Sequence, residues 1–204
     1  MDGWFFMPPT LLLFQPKCCD SFFMLTIGHS TLAIESFLGA LQDNRVNLLV
    51  DVRTIPQSRF NPQFGREALS ASLQSAGIEY LWMQALGGLR KARKDSINTG
   101  WRNASFRGYA DYMQTEDFRE ALRQLIDLEK EATVAILCSE AVPWRCHRSL
   151  IGDALLVRGQ SVEDIFVAAT GKSQRKPHTL TPFARVEGTQ LWYPGEPELP
   201  LPRD

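Results

Sequence analysis

The chain carries almost no net charge: 22 Lys and Arg against 23 Asp and Glu leave −1 over 204 residues. No global attraction to nucleic acid or to an anionic membrane follows, so any such contact must come from a local patch. Cysteine is scarce. Four in a chain of this length exclude a disulfide scaffold. Cys18 and Cys19 are neighbours that cannot pair with each other without strain, and Cys138 and Cys146 are expected as reduced thiols in a cytoplasmic protein. No unbroken apolar run reaches the ~20 residues that a spanning helix needs. Internal repeats are missing as well.

The apolar start, 1-MDGWFFMPPTLLLFQPKCCDSFF-23, is broken by Pro8, Pro9 and Pro16 and has no basic stretch before its LLLF run, which argues against a signal peptide. It is expected to be a poorly ordered extension, or the product of an upstream start codon with Met24 as the alternative beginning.

From Met24 onward apolar runs alternate with amphipathic stretches. Strands are expected at 24–28, 46–52, 78–83, 133–138 and 161–168. Helices are expected at 31–44, 66–76, 107–114, 116–132 and 147–159, with Ser30 or Thr31 capping the first, Thr115 capping the fourth, and Gly77 and Gly159 as stops. Ile34, Phe37, Leu38 and Leu41 show the i, i+3, i+4, i+7 spacing of one helix face. The run 84–106 reads as a long loop, a length usually kept for function. The pattern predicts an α/β fold: three layers, with a mostly parallel sheet of about five strands and flanking helices. The domain is expected over 24–169, followed by a Pro-rich tail over 170–204 whose piece 183–194 can form a hairpin turning at Glu187-Gly188.

In a parallel sheet the strand C-terminal ends share one edge, where ligands bind. The chemistry-bearing residues follow that rule. Gly28-His29-Ser30 follows the first strand, Asp51 and Arg53 end the second, Gly87-Gly88 follows the third, and the loop 138-CSEAVPWRCHR-148 follows the fourth. In that loop Cys138 is a candidate nucleophile if a helix N-terminus and nearby Arg145, Arg148 and Arg53 lower its pKa; otherwise it is a buried core cysteine. Glu140 offers a carboxylate for acid–base work or for a ribose or amine, His147 can move protons, and Cys146-His147-Arg148 opens a helix where Arg148 can grip an anion.

Around this loop, His29, Ser30, Asp51, Arg53, Arg59 and Tyr109 are candidate substrate-binding residues; Asp51 and Arg53 lie on one face, either as an organising salt bridge or with Arg53 on a substrate anion. A shared metal on Cys138, Cys146, His147 and His29 is not expected. The C-x7-C-H spacing is not a standard zinc pattern, and adjacent Cys and His rarely chelate one ion. The run 90-RKARK-94, with Trp101, Arg102, Phe106, Arg107 and Tyr109 after it, interleaves cations and aromatics in a way that suits nucleotides or single-stranded nucleic acid, or is simply a solvated basic loop.

Taken together, 26-TIGHS-30, 51-DVRTIPQSRFNPQF-64, 86-LGG-88, 106-FRGYADYM-113, 137-LCSE-140 and 146-CHR-148 resemble the bacterial and archaeal domain-of-unknown-function family 488, in that family's order. The resemblance implies a compact cytoplasmic α/β domain and brings no reaction with it. A weaker likeness of layout connects the chain to rhodanese-type sulfurtransferases, which also have a strand ending in an Asp-x-Arg-like motif and a cysteine loop between strand and helix. Here the loop runs from Cys138 to Arg145 as C-x6-R, and Glu140 inside it opposes persulfide or phosphate chemistry. Three readings therefore stand. The first is an enzyme on a nucleotide-like or other anionic substrate, with Glu140 or Cys138 reactive and no cofactor indicated. The second is a nucleotide or nucleic-acid binding module. The third is thiol redox or sulfur transfer by Cys138 and Cys146.

Overall fold

The computed structural model describes residues 23–195. The extension considered above, including Cys18 and Cys19, lies outside the described residues. Six strands form one sheet in the order β3-β2-β4-β1-β5-β6. They are β1 (Phe23–Gly28), β2 (Leu48–Asp51), β3 (Glu79–Trp82), β4 (Val134–Cys138), β5 (Ser161–Val167) and β6 (Ser173–Pro177). The first five are parallel, and β6 runs antiparallel to β5. The helices are α1 (Ile34–Asp43), α2 (Arg66–Ser75), α3 (Ala104–Tyr112), α4 (Glu116–Glu129) and α5 (Arg148–Leu156). This is the three-layer α/β arrangement that the alternating pattern predicts, with one strand more than about five. None of the described helices is long and apolar enough to cross a membrane.

Side-chain alternation along the strands builds two cores. Leu25, Ile27, Leu49, Ala135 and Leu137 face Phe37 and Leu41 of α1 and Leu69 and Leu73 of α2. Met24, Leu48, Val50, Val134 and Ile136 face Tyr109 of α3, Leu122 and Leu125 of α4, and Leu150 and Ile151 of α5. Burial on both faces explains why β2 and β4 read as continuous apolar runs.

Several boundaries differ from expectation, each for a local reason. Neither Ser30 nor Thr31 caps α1; Ala33 is the N-cap, without a side-chain bond. Ser30 takes a left-handed backbone, φ 45°, and its N–H bonds the Ser139 carbonyl at 2.8 Å, so the chain is still extending the sheet edge there. Helix α3 starts three residues before the expected 107, because Asn103 accepts a hydrogen bond from the Ser105 N–H and caps it. Thr115 caps α4 as expected, accepting from Phe118 N at 3.3 Å. The hairpin forms between β7 (Arg185–Glu187) and β8 (Gln190–Trp192), with Gly188 at φ 58° in the turn.

Strand β6 was not legible as a strand: Ser-Gln-Arg-Lys-Pro is polar throughout and half-hidden at most. It is held by pairing with β5 and by the residue after it. His178 donates between two buried carboxylates, Asp164 at 2.9 Å and Asp153 at 3.2 Å. Thr26 of β1 also bonds Asp164, and Tyr193 bonds Asp153 through its hydroxyl at 2.8 Å. One imidazole thus ties β1, β5, α5 and the segment after the hairpin together.

Burial disfavours the His178 imidazolium, but the hydrogen bonds to Asp153 and Asp164 outweigh it and raise its pKa from 6.5 to about 9. A pKa raised on folding contributes stability that is complete below the unfolded value and is lost as pH climbs through the folded one. The shift corresponds to roughly 3 kcal/mol. Urea unfolding is expected to show this stability at pH 6 and its progressive loss between pH 6.5 and about 9. A His178→Gln variant is expected to be less stable at pH 6 and to lack that slope; an unchanged slope would remove His178 as its source.

Candidate functional site

The chain leaves β1 through α1 toward the β3 edge, and leaves β4 through α5 toward the β6 edge. Neighbouring strands whose connections diverge open a crevice at their C-terminal ends. Gly28 and Cys138 are register partners at that point. The ladder continues past both strands, with His29 N donating to Cys138 O at 3.1 Å and Ser30 N to Ser139 O. A cavity of about 440 Å³ opens there, lined by residues after β2, β3 and β4 and by the start of α3. That volume is within the range of small-molecule sites.

Cys138, Cys146 and His147 meet at the cavity wall. His147 Nδ1 lies 3.7 Å from Cys138 Sγ and 3.8 Å from Cys146 Sγ, and the three donor atoms are all within 4.8 Å of one another. On its far side the ring donates Nε2–H to the Val52 carbonyl at 3.0 Å. That bond orients the ring so that Nδ1 faces both sulfurs. Tyr109 packs edge-on against the ring with centroids 5.0 Å apart. Gly88 makes room on another side, since a Cβ there would lie 2.5 Å from Nδ1. Both thiols are buried and free. A hydrogen bond from the Cys146 thiol holds Cys138 well below the ordinary thiol pKa, against burial, with His147 and Arg148 adding to it. Burial, and then the bond to Cys138, raise Cys146. Of the two thiols, Cys138 is therefore the more acidic.

Glu140 lines the same cavity with an exposed side chain that has no partner among the described residues. The other candidates are placed differently. Arg148 is buried and spends two nitrogens on the loop itself, donating to the carbonyls of Glu140 at 2.5 Å and Ala141 at 2.9 Å. Gly28 is required beneath this clamp, because a Cβ there would fall 1.7 Å from the Glu140 carbonyl oxygen.

Arg53 borders the cavity but is engaged with Asp51 through Nε at 2.9 Å and a terminal nitrogen at 2.6 Å, and with the Phe64 carbonyl at 2.9 Å. Asp51 also accepts from Tyr80 at 2.8 Å. His29 is stacked on Phe64, donates Nδ1–H to its neighbour Ser30 O and faces Arg53 through Nε2 at 3.3 Å. Burial lowers its pKa, so it stays neutral. Of the Asp51–Arg53 alternatives, the organising salt bridge is the one formed. Tyr109 is fully buried and bonds the Leu86 carbonyl, and Arg59 is exposed and outside the cavity lining.

Thr54, Ile55 and Leu89 line the cavity and were not among the expected site residues, while Arg145, expected only as a cation near Cys138, and Phe106, expected only with the aromatics of the basic run, line it as well. Arg145 is exposed and its side chain has no partner among the described residues. Its position inside the cysteine loop was the available signal. In the basic run, Arg90 stacks over Tyr112 at 3.7 Å and bonds the Gly87 carbonyl, while Arg93 pairs with Asp95. Trp101 packs among Phe106, Phe183 and Tyr193. These aromatics serve packing first.

Removing the Arg148 clamp strands two carbonyls, so Arg148→Met is expected to cost at least about 2 kcal/mol, read as a lower urea midpoint. Arg145→Ala is expected to leave the midpoint unchanged. Equal midpoints for Arg148→Met and the parent would contradict the clamp.

A family model described as domain of unknown function DUF488 matches residues 33–155, more than half of the chain. No curated protein and no solved structure matches it.

Proposed function

We propose that this chain, which belongs to the domain of unknown function DUF488 family, is an enzyme whose reactive centre is the Cys138–Cys146–His147 cluster. The observation that carries this reading is the convergence of two sulfurs and an imidazole nitrogen within 4.8 Å at one end of an open cavity. Packing alone does not call for that grouping. A half-buried imidazole whose outer nitrogen is already bonded to Val52 O is an oriented one, and oriented bases and soft nucleophiles are what catalysis uses.

Glu140 supplies the proton-transfer group, since it borders the cavity without a competing partner. Arg145 replaces Arg53 and Arg148 as the ligand for a substrate anion, because those two are committed to Asp51 and to loop carbonyls. Ile55, Leu89 and Phe106 offer an apolar surface for a planar group. A small molecule with a flat portion and one negative charge, such as a nucleotide, fits these features. Dithiol redox is the second reading, favoured by the closeness of the two sulfurs.

The test is a turnover screen of nucleosides, nucleotides and related anionic amides and esters, followed by kinetics of variants on the substrate found. Glu140→Gln and Cys138→Ala are each expected to lower kcat at least ~100-fold, and Glu140→Gln to leave the Tm within a few degrees. Arg145→Ala is expected to raise KM more than it lowers kcat. Full turnover in both Glu140→Gln and Cys138→Ala would overturn the proposal. Loss in Cys138→Ala and Cys146→Ala alone, with turnover dependent on a dithiol or disulfide partner, would favour the redox reading.

A further inference from the structure

We infer that Cys138, Cys146 and His147 form a binding site for one zinc ion, with the fourth coordination position open to the cavity. The inference rests on the reading of this cluster as the reactive centre and names the ion that the centre holds. Spacing along the chain argued against a shared ion. The fold reverses that argument, because Cys138 ends β4 while Cys146 and His147 sit just before α5, and the loop between them closes the set in space.

The two nitrogen–sulfur separations fit a tetrahedral ion. With zinc–sulfur bonds of about 2.3 Å and zinc–nitrogen bonds of about 2.0 Å, a sulfur and a nitrogen ligand stand about 3.6 Å apart. His147 Nδ1 stands 3.7 and 3.8 Å from the two sulfurs. Nδ1 is turned to the sulfurs while Nε2 donates to Val52 O at 3.0 Å, the outer hydrogen bond that metal-bound histidines characteristically make. Two thiolates would neutralise the ion's charge, which suits a buried pair of cysteines. Three protein ligands with an open fourth position distinguish catalytic from structural zinc sites. All three ligands border the cavity, as does Glu140, two residues beyond the first ligand. A carboxylate that is not itself a ligand takes the proton from zinc-bound water in zinc-dependent deaminases, so the same division of labour is open here.

The test uses the full chain with Cys18→Ser and Cys19→Ser, which removes its two other thiols. Reconstituted with zinc and gel-filtered, it is expected to retain one zinc per chain. Zinc is expected to slow iodoacetamide labelling of Cys138 and Cys146 at least ~10-fold, and chelation to restore it. Cobalt in place of zinc is expected to give the intense visible bands of a tetrahedral site together with a thiolate-to-metal charge-transfer band. His147→Gln is expected to weaken zinc binding at least ~10-fold, with circular dichroism confirming the fold. No retained zinc, or retained zinc with unprotected cysteines, overturns the site. These outcomes are separable from the proposed function: zinc-free protein that still turns over substrate and loses turnover in Cys138→Ala removes the metal and leaves the cluster as the reactive centre.

Discussion

The site depends on one buried guanidinium. Arg148 reaches from the first residue of α5 back to the carbonyls of Glu140 and Ala141 and pins the loop across the end of β1. The close approach is possible only because residue 28 has no side chain. Once the loop is pinned, Cys146 and His147 are brought back to the strand end that carries Cys138, and Glu140 is left at the cavity border. A buried cation beside carbonyl dipoles is favourable only while those carbonyls stay in place, so the loop geometry and the helix start are fixed together.

A second network fixes the opposite wall. Asp51, Arg53, Tyr80 and His29 share hydrogen bonds, and Phe64 closes the set by stacking and by its carbonyl. The shared members make the wall rigid at the cost of chemistry. Arg53 borders the cavity yet has most of its donors turned to protein. Both arginines that stand out in the sequence are bonded to protein groups, and among the described residues the side chains of Glu140 and Arg145 at the cavity have no such partner. In the proposed function, specificity comes from these few charged groups set against Ile55, Leu89 and Phe106.

Much of this was legible in the sequence. Periodicity placed β2 and β4 as apolar runs and α1 and α4 as amphipathic helices, because burial on one face or two leaves a pattern in composition. The clustering of His29, Asp51 and Cys138 at one sheet edge followed from topology. What sequence could not supply was partnership. Whether Arg148 meets a ligand or a carbonyl depends on a gap created by Gly28, and nothing in the residue types reveals it. Strand β6 was hidden because Ser-Gln-Arg-Lys-Pro lacks an apolar face, and its place depends on His178 meeting Asp153 and Asp164 across the fold. Ligand spacing was silent for the same reason: C-x7-C-H does not show that two sulfurs and an imidazole meet until the loop is folded.

The central claim is that two sulfurs and one imidazole nitrogen meet at a single point facing the cavity. Anomalous diffraction at the zinc edge, from crystals of the zinc-reconstituted chain, tests it most directly. The account predicts one strong peak bonded to Cys138 Sγ, Cys146 Sγ and His147 Nδ1, with its remaining side toward Glu140 and Arg145. No peak at these atoms, together with donor atoms farther apart than 4.8 Å, would contradict it.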